Sequence, residues 1–330
     1  MRQLISGRAI VAAVGVLLST SVTAQIGVGP SQVFPNRTVR LVVPLPPGTA
    51  SDIRARQIAQ KLNAEWQQPV IVENRPGATG NVAMEFAARA APDGYTLIMA
   101  NINSLAILPH LMKLPFDPIK DFAAVSNVTT APLVLVAHPG VPYNSVAELI
   151  AFAKANPRKL DAASAGTGNV GHLALILFNK ISGVNITHIP YKGGAQMIAD
   201  LISGQVHMMF EFASAFSMHV KAGRVKSIAV ANDKRLGVLP DIPTFEELGY
   251  KGMIVTGWTG IEVPAGTPAE IVRKLNTAVV RVLNLPDVRE AIVGSGAEVG
   301  ADSPEHFTAF IRAENEKWGK IISEAGIRLD

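Results

Sequence analysis

Val39-Arg40-Leu41-Val42-Val43 runs through Pro44-Leu45 into Pro46-Pro47-Gly48-Thr49-Ala50-Ser51-Asp52, and this passage decides the fold. Its first five residues are short, β-branched and apolar, the mark of a buried strand. Two prolines and a glycine then end the strand in a loop. Beyond the loop, Ile53, Ile58 and Leu62 recur near helical spacing, with Arg54, Arg56 and Lys61 off that stripe, which predicts an amphipathic helix. Working outward, residues 69–72 read as a second strand, 81–91 as an Ala-rich helix and 95–99 as a third strand after the turn Pro92-Asp93-Gly94. Strand, helix, strand, helix, strand is the order of a parallel sheet covered on both faces.

The same alternation continues. Residues 133–136 form an apolar run, and Ser145 with Glu148 is a capping box that opens a helix carrying Val146, Leu149 and Ile150. Residues 161–164 and 187–190 are strand-like and each feeds a helix, and 206–210 and 225–230 are again strand-like. The chain is expected to build one sheet, cross to a second at about residue 132 and return near 231. Later, 268–283 reads as a helix with Ile271, Leu275 and Val279 in register, and 302–325 as a terminal amphipathic helix capped by Ser303 with Pro304 at its first position. The fold class is α/β, two-lobed, with a parallel-rich sheet and flanking helices in each lobe. Residues 25–131 and 231–330 are assigned to the first lobe and 132–230 to the second.

Residues 1–24 read as a signal peptide: Arg2 and Arg8 give a basic start, residues 9–18 are apolar, and small residues precede a cleavage site near Ala24. The apolar run is shorter than the roughly 20 residues a bilayer span needs. The expected location is the periplasm. The 330-residue chain has a formal net charge of +4, which becomes +2 without Arg2 and Arg8. Lys and Arg are scattered singly, so no basic surface for nucleic acid is indicated. Cysteine is absent, which removes thiolate chemistry and cysteine-held metals, and a chain this long buries enough core to fold without disulfides.

Chemistry concentrates in four glycine-bearing loops at apparent strand-to-helix junctions. They are 46–52, 75–81 (Arg75-Pro76-Gly77-Ala78-Thr79-Gly80-Asn81), 164–169 (Ser164-Ala165-Gly166-Thr167-Gly168-Asn169) and 191–195 (Tyr191-Lys192-Gly193-Gly194-Ala195). A loop that opens a helix exposes unpaired amides at the positive end of the peptide dipoles, and glycine lets an anion approach them. A small organic anion held between two lobes is the reading this supports. Thr49 and Ser51 add hydroxyl donors; Asp52 would repel an anion, so it either favours the helix start or pairs with a ligand amino or hydroxyl group. Arg75 either grips a carboxylate or pairs on the surface. Asn101, Asn103 and Ser104 follow the third strand at its carboxyl end, where open parallel sheets bind ligands, or else bond locally in a turn.

Gly166-Thr167-Gly168-Asn169-Val170-Gly171 matches the dinucleotide pattern G-x-G-x-x-G. The next strand, however, ends His188-Ile189-Pro190-Tyr191 with no acid to hold a ribose, so these amides are better read as a carboxylate receptor. His172 is placed beside that loop, as an anion partner or a structural histidine. No G-x-S-x-G, S-x-x-K, H-E-x-x-H or EF-hand spacing occurs, and no catalytic residue, metal site or cofactor is assigned. A secreted α/β hydrolase stands as the rival of another class.

The ordered motifs carry a resemblance. Pro35 onward through 39–44, Pro46-Pro47-Gly48, Val72-Glu73-Asn74-Arg75-Pro76-Gly77-Ala78, Pro92-Asp93-Gly94-Tyr95-Thr96-Leu97, Tyr191-Lys192-Gly193, Asp200-Leu201-Ile202-Ser203-Gly204-Gln205-Val206, Leu239-Pro240-Asp241-Ile242-Pro243-Thr244 and Pro264-Ala265-Gly266-Thr267-Pro268 resemble the Bug or TctC family over nearly the whole chain after the leader. These are extracytoplasmic solute receptors of tripartite tricarboxylate transporters. The resemblance implies a monomeric, non-enzymatic, two-lobed periplasmic binding protein of type II-like fold that closes on a dicarboxylate, acidic amino acid or aromatic carboxylate. The implied partners are TctA/TctB-like permease subunits, or a membrane sensor in the alternative. It further implies that one carboxylate lies against Leu45, Gly48, Thr49, Ser51, Asp52, Gly77, Ala78 and Asn81, with waters between. The opposite lobe is implied to contribute Ser164, Gly166, Thr167, Asn169 and His172, with Tyr191 and Lys192 nearby. Two departures bear on ligand identity. Leu45 stands where the family often has Phe and Thr49 where it usually has a second Gly, and Asn101-Ile102-Asn103-Ser104 is richer in amides than the usual small-residue stretch.

Overall fold

The computed structural model describes residues 34–77, 80–191 and 194–328. The signal peptide and its cleavage site, Ala78 and Lys192 lie outside them. Strands β1 (Val39–Val43), β2 (Val70–Asn74) and β3 (Thr96–Asn101) are parallel, with β1 between the other two. Helix α1 (Ala50–Trp66) connects β1 to β2, and α2 (Asn81–Ala88) connects β2 to β3. The alternation of β1 assigns its faces. Leu41 and Val43 pack with Ile58 and Leu62 of α1, while Val42 packs with Ala83 and Met84 of α2.

After β3 the chain makes a π-helical turn (Asn103–Ile107) and a short helix, α3 (Leu108–Leu111), before β4, which is 16 residues long (Phe122–Ala137). The sequence pattern shows only the last third of β4. Phe122 to Thr130 interleaves small and polar residues with the buried Val125 and Val128, so no continuous apolar run marks it as a strand. The second lobe continues with α4 (Val146–Ala155), β5 (Asp161–Ser164), α5 (Val170–Ser182), β6 (Thr187–Pro190), α6 (Gly194–Ser203), β7 (Met208–Phe212), α7 (Ala213–Lys221) and β8 (Lys226–Val230). The chain finishes with β9 (Thr256–Pro264), α8 (Ala269–Leu283), α9 (Pro286–Val293), β10 (Glu298–Val299) and α10 (Pro304–Ala325).

The sheets are mixed rather than purely parallel. The first reads β2-β1-β3-β9-β4, with β9 antiparallel to both neighbours; the second reads β4-β7-β5-β6, with β8 also on β4. Strand β4 belongs to both: Phe122–Pro132 pairs with β9, and Leu133–Ala137 pairs with β7 and β8. At the changeover Ala231 N–H donates to Leu133 O (2.8 Å), Leu133 N–H to Val255 O (3.0 Å) and Val255 N–H to Ala231 O (2.9 Å). Between Ala231 and Val255 the chain packs on the second sheet, where Phe245 meets Phe178 and Phe210. The two-lobed α/β architecture is thus joined by backbone at one locus.

Helix α10 covers the first sheet with Phe307, Ile311 and Trp318, all buried. Its Glu314 is buried as well and accepts from two indoles, Trp258 Nε1 (3.3 Å) and Trp318 Nε1 (3.1 Å), while Lys317 Nζ lies 3.2 Å from its other oxygen. Trp258 is thereby fixed on β9. Glu314→Ala would orphan both buried N–H groups, and chemical denaturation is expected to show a loss of about 2–4 kcal/mol. Unchanged stability would mean that the indoles find other acceptors.

Candidate functional site

Four strand-to-helix junctions converge on one cavity of about 210 Å³ between the sheets. From the first lobe it is lined by Leu45, Ala50, Ser51, Arg54 and Asn101–Ile102–Asn103, and from the second by Val170, Phe212, Ala213 and Ser214. Strand β9 supplies Gly257, Trp258 and Thr259 to the floor beside Thr129 and Ala131 of β4, and Ser295, Gly296 and Ala297 close one side.

The first loop shows how its donors are divided. Thr49 is the N-cap of α1: its Oγ1 accepts from Asp52 N–H (3.4 Å) and donates to Pro46 O (2.9 Å). Ile53 N–H donates to Thr49 O. Of the first four amides of α1, those of Ala50 and Ser51 are left without a partner among the described residues, and both residues line the cavity. Gly48 has φ +84°, the left-handed region, and turns its N–H onto Asp52 Oδ2 (2.9 Å). Asp52 also receives Arg56 Nε (3.1 Å) and Asn74 Nδ2 (2.8 Å). The Arg56 hydrogen bond, with those of Gly48 and Asn74, holds the Asp52 carboxyl down to about 2 against the opposing effect of burial. Asp52 therefore braces the loop to β2 and does not line the cavity.

Asn101 is the second fixed donor. Its Oδ1 accepts from the amides of Asn103 (2.9 Å) and Ser104 (3.2 Å), which leaves Nδ2 as the end available to the cavity. Ser104 is fully buried and bonds back to Asn101 O, so it supports the turn. In the second lobe Asn169 caps α5 by accepting from His172 N–H (2.9 Å), and the following residue, Val170, reaches the cavity. Helix α7 starts at Phe212-Ala213-Ser214 with no side-chain cap; Phe212 N–H donates to Glu211 Oε1 (2.9 Å), while Ala213 and Ser214 line the cavity.

Of the sequence-predicted residues, Leu45, Ser51, Asn101 and Asn103 are brought together on the cavity walls. Gly48, Thr49, Asp52, Gly77, Asn81, Ser104, Ser164, Gly166, Thr167, Asn169, His172 and Tyr191 are not among the residues that line it. Arg75 lies on the surface against Glu73 (2.6 Å) and over the Phe86 ring (3.6 Å). Tyr191 donates to Asp200 (2.7 Å), and burial with that carboxylate pushes its hydroxyl up to about 12. Among the described residues no cluster of three His, Asp or Glu side chains has metal-binding geometry.

Sequence reading missed Arg54, the start of α7 and the β9 floor. Arg54 sits one turn after Ala50 on the same helix face, a spacing that does place it over the loop. The start of α7 gives no turn signal, because Glu211-Phe212-Ala213-Ser214 passes from strand to helix without Gly, Pro or a capping side chain.

Known proteins share this architecture. Residues 54–327 match the model of the tripartite tricarboxylate transporter family receptor. The chain is 32% identical over 323 residues to the protein BugT of Bordetella pertussis, covering 97% of this chain and 98% of that one. Among solved structures it resembles Rpa4515 of R. palustris with adipate (36% identity, 89% of this chain and 99% of that one, TM-score 0.80). It also resembles MatC of Rhodopseudomonas palustris with bound malate (34% identity, 88% and 100%, TM-score 0.76).

Behind the third loop the rings of His172 and His188 stack at 3.7 Å. His172 Nδ1 accepts from Gly168 N–H (3.0 Å), and His188 Nε2 lies 2.7 Å from Ser164 Oγ. Burial pushes both imidazoles down to about 4, and for His188 the neighbouring His172 ring adds to the effect. Since the folded values lie below the ordinary 6.5, the unfolded chain binds more protons between the two. The pair's contribution to stability is full above about pH 6.5 and falls as pH is lowered toward 4. Melting temperature measured across that window is expected to drop, and His188→Gln to flatten the slope; equal slopes in both proteins would contradict neutral stacked rings.

Proposed function

The chain belongs to the receptor family of tripartite tricarboxylate transporters, and from that premise we propose that its cleft binds a small organic carboxylate and presents it to a membrane permease. It is a periplasmic binding protein rather than an enzyme. What carries the carboxylate reading is the make-up of the cavity walls: free amides of Ala50 and Ser51, Asn101 Nδ2, the uncapped start of α7 and the Arg54 guanidinium, with no carboxylate among the lining residues. Donors and a cation with no negative charge among them are what an anion requires. That two relatives were solved with adipate and malate accords with it.

Closure in this reading is a rotation of the lobes about the backbone crossings at Leu133, Ala231 and Val255, with the division between lobes near residues 132 and 231. Amides of the second lobe then complete the shell, and expelled water strengthens each dipole contact. The loop 46–52 bears on one end of the ligand, and Ser164, Gly166, Thr167, Asn169 and His172 shape the loop that meets the other. A TctA/TctB-like pair is the permease this reading assigns, with the receptor acting as a monomer.

Non-denaturing mass spectrometry of protein purified from the periplasm is expected to show a carboxylate adduct, and added carboxylates to raise the melting temperature. A neutral or cationic adduct, with no shift from any mono-, di- or tricarboxylate, would refute the reading. Asn101→Asp keeps the Oδ1 acceptor that shapes the turn and replaces the free donor with an anion. Calorimetric affinity for the bound carboxylate should fall by more than about tenfold, 1.4 kcal/mol.

A further inference from the structure

Arg54 lines the cavity half-buried, and its one hydrogen bond goes to Gln57 Oε1 on its own helix. No carboxylate of the described residues lies within salt-bridge distance of it, whereas Arg56, two positions on, pairs with Asp52 at 3.0 Å. A guanidinium offers five N–H donors in a planar fork that matches a carboxylate. This one stands largely unused in a cavity where it is the only charged side chain among the described lining residues.

The opposite wall is different in kind. Phe212 and Val170 are apolar, Ser214 offers a hydroxyl, and no cation faces Arg54 from there. The Phe212 ring is held against backbone: a Cβ on Gly257 would come within 2.4 Å of it. The Trp258 ring points the other way, into the core against Phe307 and Phe310 of α10, where Glu314 holds its indole N–H. The start of α7 brings only about half an elementary charge, partly screened, and that offsets only part of the dehydration of a full carboxylate.

We propose that Arg54 makes this a receptor for singly charged carboxylates, seating the carboxylate at the first lobe and the apolar body of the ligand against Phe212 and Val170. The inference rests on the carboxylate-receptor reading and narrows it: one formal positive charge meets one negative charge, and the far end of the ligand is uncharged. A second carboxylate would be dehydrated beside Phe212 and Val170 with no second cation among the described lining residues to receive it.

The test compares matched probes by calorimetry on the folded chain: hexanoate against adipate, and benzoate against terephthalate. Wild type is expected to bind the monoanion of each pair at least about tenfold more tightly, 1.4 kcal/mol. Arg54→Gln should weaken the monoanions by a similar factor and shrink the difference within each pair, while Arg54→Lys, which keeps the charge and loses the fork, falls between. Circular dichroism and melting temperature check that both variants fold. Equal or tighter binding of adipate and terephthalate overturns the charge selection while leaving a carboxylate receptor in place, and so does Arg54→Gln with unchanged affinities. If no carboxylate of any charge binds the wild type, the receptor reading itself falls and this inference with it.

Discussion

Both lobes depend on one strand. Because β4 gives Phe122–Pro132 to one sheet and Leu133–Ala137 to the other, neither sheet can be completed without it, and their relative position is set by backbone hydrogen bonds at the crossing together with a buried apolar cluster that draws residues from both lobes. Where three segments cross at Leu133, Ala231 and Val255, each donates to the next. A ring of main-chain bonds resists sliding but tolerates small dihedral changes in its members, which suits a joint. The cavity lies beside that joint, and Thr129, Ala131 and Gly257 on its floor come from the strands that form it. Any rotation there changes the distance between the starts of α1 and α7.

What decides the chemistry of the cleft is which donors the fold leaves unpaired. In the first and third glycine loops several amides are taken up internally: Gly48 by Asp52, Gly166 by Ser164, Gly168 by His172, Asp52 by Thr49. These bonds make the loops rigid, so the remainder point in fixed directions. A carboxylate entering such a site replaces water by dipoles that do not need to reorient. Asp52 shows why an acid near an anion site is not a contradiction, since its charge is matched by Arg56 and its lone pairs by Gly48 and Asn74.

Much of this was legible in the residues. Apolar runs ending in Pro-Gly or Ser-Ala-Gly announced strand-to-helix junctions, and their period set the α/β class, because a buried parallel strand and an amphipathic helix leave distinct patterns. Leu45, Ser51, Asn101 and Asn103 line the cavity because they stand at or just beyond the carboxyl ends of β1 and β3, where topology alone puts a cleft. The antiparallel strand β9 is the hardest to read, since Thr256–Pro264 gives no sign of which strands it joins. Its insertion between β3 and β4 is a long-range pairing. The loss of a turn signal at Phe212-Ala213 hid α7, and Arg54 looked like any solvated arginine on the polar side of a helix.

Arg54 also illustrates how a single helix can carry two cations with opposite roles. Arg56 and Arg54 are two residues apart, so they project from α1 about 200° apart and cannot share a partner. Arg56 turns toward β2 and is neutralised by Asp52, becoming part of the frame. Arg54 turns toward the cavity, where the chain provides only the neutral Gln57. Burial there already pulls its proton affinity down, a cost the protein bears with no internal anion to offset it. A structure that pairs the cation one turn away from the cleft and leaves the cation inside it unpaired has arranged for the counter-charge to come from solution.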